Sequence, residues 1–93
     1  MPRPKKHRVI KCDPAALYFK PRGIPLSMLL ETDLKGDELE AIKLADYDSL
    51  SHETAAGKMH ISRATFGRIV KSARGKIADS IINGKAIKII SKY

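Results

Sequence analysis

Apolar residues recur at helical spacing through the second half of the chain and, in the first half, only over its last stretch from residue 37. Phe66, Ile69, Val70, Ala73, Ile77 and Ile81 fall on one stripe of a 3.6-residue period. Ala64, Gly67, Arg68, Lys71 and Gly75 fall on the opposite stripe, with Arg63 at the entrance and Arg74 on the flank. This predicts a helix capped by Ser62 and running to Asn83, where Gly84 supplies a left-handed stop. Before it, Ala55, Ala56 and Met59 predict a shorter helix capped by Ser51, with Glu53 near the positive end of its dipole. Small residues there let two helices cross closely and steeply. His60-Ile61-Ser62 is the turn between them, Ile61 plugging the core and Ser62 opening the next helix.

Residues 37–47, DELEAIKLADY, predict the first core helix, with Leu39, Ile42 and Ala45 on its buried face. Asp37 and Glu40 match a capping box, Leu34 is placed as a staple before it, and 48–50 is a turn. Pro14, Pro21, Gly23 and Pro25 exclude a long helix upstream. Short strands are expected at Arg8 to Lys11 and Leu17 to Lys20, and a short helix from Ser27 through Glu31. Residues 85–90, KAIKII, read as a strand bringing Ile87 and Ile89 to one face. A lone strand has no stability of its own, so it must pair with one of the earlier strands or with a second subunit. The expected fold is mainly α: a helix-turn-helix core over 34–84 with short N- and C-terminal β segments. A disordered basic arm at 1–8, an extension at 9–33 and a strand and tail at 85–93 complete the division.

Charge sharpens this picture. The net charge is +8, and it is segregated. Residues 1–23 carry seven Lys/Arg against one acid, residues 24–58 three against eight, and residues 59–93 eight against one. Between Ser62 and Ala78 there are five basic residues and no acidic one, whereas a merely solvated helix face mixes both signs. Two basic regions flanking an acidic middle point to a polyanion met on one side. A one-signed outward face on the second helix of such a pair is the pattern of a DNA-reading helix-turn-helix.

Other chemistries find less support. With 93 residues and no Trp, the chain holds a small aliphatic core and no deep catalytic cleft. The single cysteine, Cys12, excludes an internal disulfide and fits a reducing cytoplasm, and no apolar run approaches the length of a bilayer span. His7, His52 and His60 match no zinc spacing with Cys12, and no phosphate loop or nucleophile motif occurs. Neither a cofactor nor enzyme activity is expected. The acidic group Asp37, Glu38, Glu40, Asp46 and Asp48 is expected on a helix exterior, as a solvating or partner-binding face.

The order helix, turn, EAA-type helix, I-S-R turn and recognition helix over 34–83 resembles the promoter-reading C-terminal domain of bacterial sigma factors. More closely, MPRPKK, YFKPRGIPL, DELEAIKLAD, SHETAAGKMHISRATFGRIVKSAR and GKAIKI together resemble the small prokaryotic family called domain of unknown function 134, or uncharacterised protein family 0251. The resemblance implies DNA binding and no more specific activity. Relatives usually carry Gly where this chain has His60, and some carry a further C-terminal domain similar to iron–molybdenum cofactor-binding proteins.

The expected partner is double-stranded DNA. Arg63 and Arg68 are the candidates for base edges, because the planar guanidinium matches guanine O6 and N7. Lys71 and Arg74 are assigned to phosphates, and Ser62 and Thr65 to capping with a phosphate contact as a second role. Lys5, Lys6 and Arg8 are candidates to enter a minor groove. Gly67, inside the recognition helix, either admits the DNA backbone or leaves the helix locally loose. A homodimer is expected, since one small module spans few base pairs. The alternative is an interaction module that binds polymerase or another regulator through the acidic 37–48 face. RNA binding is a third reading, on the adjacent aromatics Tyr18 and Phe19.

Overall fold

A computed structural model describes residues 9–11 and 17–90. The elements in chain order are β1 (Tyr18–Phe19), a 3-10 turn (Leu26–Met28), β2 (Glu31–Lys35), α1 (Gly36–Ile42), a π-helical turn (Lys43–Tyr47), α2 (His52–Met59), α3 (Arg63–Asn83) and β3 (Ala86–Ile90). The fold is mainly α with a small three-stranded sheet of order β1-β3-β2. β3 takes the centre, antiparallel to β1 through Phe19 opposite Ile87, and parallel to β2 through Leu34 opposite Ile89. Residues 85–90 thus find their partner within the chain, and one partner is the expected segment at Leu17 to Lys20.

Two apolar clusters hold the helices. In the first, Ala55, Ala56 and Met59 of α2 meet Phe66, Ile69 and Val70 of α3, with Ala41 and Leu44 closing it from below. In the second, Leu34, Ala73 and Ile89 join β2, α3 and β3. Full burial of Phe66, Met59 and Val70 contributes about 1.5–3 kcal/mol for each side chain. The His52 ring stands edge-on to Phe66 at a centroid distance of 5.2 Å, so α2 covers α3 with an aromatic lid as well.

Several sequence expectations give way here. Residues 9–11 do not form a strand of the sheet. The Val9 N–H donates to the Met59 carbonyl and the Lys11 N–H to Glu40 Oε1, which ties this segment across α2 and α1 instead. The expected helix from Ser27 through Glu31 is a single 3-10 turn at Leu26–Met28, followed by β2. The polar run Glu31-Thr32-Asp33 masks that strand, because it forms only where β3 offers a parallel partner. Leu34, just before the Lys35 cap of α1, keeps its expected place as a staple, with Leu39 of α1 packed against the second cluster that it joins. The helix expected over 37–47 is α-helical to Ile42 and then widens into a π turn, closed by the Asp48 N–H donating to the Lys43 carbonyl at 2.8 Å. Ile81 leaves the buried stripe and is exposed, its place in the core taken by Ser80.

The acidic group is the largest correction. Asp37, Glu38 and Glu40 are buried, so the exterior acidic face does not exist as expected. The capping residue is Glu38, not the Asp37 and Glu40 pair: its Oε1 accepts from the Lys35 N–H at 2.9 Å. The same carboxylate accepts from Lys76 Nζ at 2.8 Å and from Ser72 Oγ at 2.6 Å, pinning α1 to α3. Burial pushes its carboxyl up, but the bonds from Lys76, Ser72 and the Lys35 N–H outweigh burial and hold it below the usual carboxylate range. Glu38→Gln removes the charge that Lys76 meets, and it should lower unfolding stability by about 1–3 kcal/mol at neutral pH in urea titrations. A carboxyl depressed in the folded state lends stability above its unfolded value of about 4.3, and that stability drains as pH falls toward the folded value. Asp46 and Asp79 are lowered too, so wild type loses stability in acid through several groups. The Glu38→Gln protein should therefore lose less than wild type between neutral pH and pH values below about 4.

Candidate nucleic-acid interface

The helix-turn-helix is built by two caps and one left-handed residue. Ser51 Oγ accepts from the Thr54 N–H, and Ser62 Oγ from the Thr65 N–H, each at 3.1 Å. Between them His60 stands at φ 56, ψ 44. Its N–H donates to the Gly57 carbonyl while the Ile61 N–H reaches back to the Ala56 carbonyl at 3.1 Å, the crossed pair of bonds that ends a helix on a left-handed residue. Ile61 is thereby turned onto the first cluster, as its sequence position suggested. The chain reverses within three residues, and α3 leaves with its core stripe already seated on α2.

What remains of α3 faces solvent. Arg63, Ala64, Arg68, Lys71 and Gly75 are exposed and Gly67 half-buried, so the amino-terminal half presents a continuous basic arc. Arg68 Nη2 donates to Thr65 Oγ1 at 3.3 Å, and Ser62 Oγ donates to the same oxygen at 2.9 Å. This short chain leans the guanidinium toward the entrance of the helix. Among the described residues, Arg63, Arg68 and Lys71 have no carboxylate partner, whereas Arg74, Lys76, Lys85 and Lys43 each hold one.

Arg74 differs from its expected role. Its Nε and Nη2 meet the two Asp46 oxygens at 3.1 and 2.7 Å, a bidentate pair across to the π turn. The pair holds the Asp46 carboxyl below and the Arg74 guanidinium above their ordinary values. Its charge is thus shared with Asp46, and on α3 the cations without a carboxylate partner among the described residues are the three nearer the amino terminus. Asp46 had no signal in the sequence: 28 residues separate the partners, and the π turn that aims Asp46 is not a propensity feature. The Glu38, Ser72 and Lys76 pin escaped notice for the same reason. Lys5, Lys6 and Arg8 lie outside the described residues, as does Cys12. No group of three His, Cys, Asp or Glu among the described residues could hold a metal ion, and none of the described helices is long and apolar enough to cross a membrane.

Two substitutions test the backbone of this unit. A Cβ built on Gly67 meets nothing within 4 Å, so Gly67→Ala should stabilise the protein by about 0.5–1 kcal/mol, read as a higher Tm. His60→Gly relieves a side chain held at positive φ and should stabilise by about 0.5–1 kcal/mol after the added freedom of the unfolded chain is subtracted. Loss of stability in either variant would contradict the packing described.

The family model described as protein of unknown function DUF134 matches residues 1–92. Similar curated proteins carry the name UPF0251 protein. One from Desulfosudis oleivorans is 56% identical over 89 residues, covering 96% of this chain and 64% of the relative. Another, from Caldanaerobacter subterraneus subsp. tengcongensis, is 55% identical, covering 96% of this chain and 75% of the relative. A third, from Moorella thermoacetica, is 47% identical over 93 residues, the whole of this chain and 62% of the relative. The chain thus spans rather less than two thirds of two of these relatives. No solved structure matches it.

Proposed function

The chain belongs to the DUF134 family, and we propose that it binds double-stranded DNA in a sequence-specific way, as a transcription regulator, with the amino-terminal half of α3 in the major groove. The observation that carries this reading is the selective pairing of charge on α3. Arg74 and Lys76 are matched by Asp46 and Glu38, while Arg63, Arg68 and Lys71, on the arc turned away from the core, are left for an external anion. An α-helix fits the width of the major groove, and only that arc could reach base edges. Arg68 is assigned to a base and Lys71 to a phosphate. Arg63 serves either at the groove's entrance. Ser62 and Thr65, spent on capping each other, supply phosphate contact only through their remaining lone pairs. The likeness to promoter-reading sigma domains belongs to this proposal and rests on motif order. Such a role places the protein in the cytoplasm and acting without a catalytic step.

The competing reading, an interaction module working through the acidic 37–48 segment, has little surface to use. Three of its five acids are buried, and the exposed Asp46 and Asp48 are engaged by Arg74 and Lys43.

Selection from a randomised duplex pool, followed by anisotropy at two salt concentrations, tests the proposal. A short enriched motif is expected, with affinity falling steeply as salt rises. Arg68→Ala should cost about 1–3 kcal/mol on the enriched site and much less on random duplex. Lys71→Ala should weaken both alike and reduce the salt slope by about 0.9. Absence of binding at low salt would overturn the reading, and equal losses for Arg68→Ala on both duplexes would remove its base-reading role.

A further inference from the structure

The two acids that meet α3 do different things. Glu38 is buried and pins α1 to the long helix, whereas the Asp46–Arg74 pair lies in the open, its side chains 42% and 50% exposed. A pair so exposed contributes little to stability, because water and salt screen it. What it changes is the charge that Arg74 can offer to anything else. A guanidinium stays protonated throughout the working pH range of a protein, so only a bound anion can hold its charge back. Both Asp46 oxygens are used, at 3.1 Å from Nε and 2.7 Å from Nη2, and they occupy the edge of the guanidinium that would grip a phosphate side-on.

The backbone goes out of its way to deliver this carboxylate. Continued as an α-helix, α1 would place residue 46 on the stripe of Leu39 and Ile42, which packs on the core. The π turn carries Asp46 off that stripe, and the Lys43–Asp48 ion pair at 2.7 Å clasps the turn. Turns of this kind recur at functional sites. Arg74 follows Lys71 by three residues, about 4.5 Å further along α3 and about 60° round its axis. It borders the basic arc, on the side where the wall of an occupied groove presents its phosphates.

We infer that Asp46 is a positioning residue that keeps Arg74 off the nucleic-acid backbone and so limits sequence-independent binding. The inference rests on the DNA reading for its ligand. A phosphate contact adds affinity on every sequence alike, and a regulator must leave a genome's many wrong sites to occupy the right one. On α3 the binding charge then comes from Arg63, Arg68 and Lys71, and Asp46 stops the count there.

Salt-dependent anisotropy of the full chain on random duplex tests this. Asp46→Asn should bind severalfold more tightly at low salt and steepen the slope of log affinity against log salt by about 0.9, with an unchanged far-UV circular dichroism spectrum. Arg74→Ala should keep the wild-type slope, and the double variant Asp46→Asn with Arg74→Ala should return to it. Asp79→Asn makes the same change in net charge beside Lys85, beyond the basic arc, and should leave the slope near that of wild type. Three results would overturn the inference: an equal rise from Asp79→Asn, a gain in Asp46→Asn that survives Arg74→Ala, or a slope lowered by Arg74→Ala as far as by Lys71→Ala. Failure of the DNA reading shows separately, as absence of duplex binding at low salt by every variant. Elution from heparin, a polyanion without grooves, then decides: Asp46→Asn eluting later than Asp79→Asn, with Arg74→Ala beside wild type, keeps the restraint on Arg74, and co-elution of the two Asn variants removes it.

Discussion

The Glu38 carboxylate, buried at the start of α1, sets how the longest helix lies. Removing a carboxylate from water costs several kcal/mol, and it is tolerated only when its lone pairs are filled and a cation is near. Here Ser72 and Lys76 fill them from α3 and the Lys35 N–H from the end of β2. Lys76 also donates to the Asp33 carbonyl, so one ammonium joins the strand, the first helix and the long helix. Apolar packing on a broad stripe tolerates repacking and so constrains the rotation of a helix about its axis only loosely. A directional ion pair on one flank fixes that rotation. The rotation of α3 decides which residues face outward, and so the position of Arg63, Arg68 and Lys71 is a consequence of a carboxylate on another helix.

This explains an otherwise wasteful distribution of charge. α3 carries five basic residues between Ser62 and Ala78, and two of them are consumed by acids that arrive from α1 and the π turn. Both consumed residues lie on the carboxy-terminal side of Lys71. The acids therefore trim the basic surface to the first two or three turns, about the length a helix can insert into a groove. The bidentate geometry of Arg74 with Asp46 makes this boundary firm, because a planar guanidinium held by both oxygens is not easily surrendered to a phosphate.

Legibility from sequence followed the range of the forces involved. The α2–α3 turn was readable almost residue by residue: Ser51 and Ser62 as caps, Ile61 as plug, Gly84 as stop. All are short-range requirements of helix termini, written within four residues of where they act. Position 60 was readable through the left-handed φ that the turn demands. β2 was not, because Glu31, Thr32 and Asp33 gain strand structure only from a partner over fifty residues away in the chain. Ile81 was misplaced because the stripe follows the helical period indefinitely, whereas the sheet that covers it ends: past Ala73 the core narrows to Ser80, which returns its hydroxyl to the Lys76 carbonyl. The buried acids were misread for the commonest reason. Carboxylates on a helix are usually solvated, and only the donors on α3 make the interior a favourable place for Glu38.

The same departure of Ile81 from the core separates the two ends of α3 in what they can do. A helix that buried Ile81 along with Ile77 would need a sheet wide enough to reach its last turns. Instead the sheet is too narrow to cover it. β1 has only two residues, and its Phe19 overhangs rather than closes the gap.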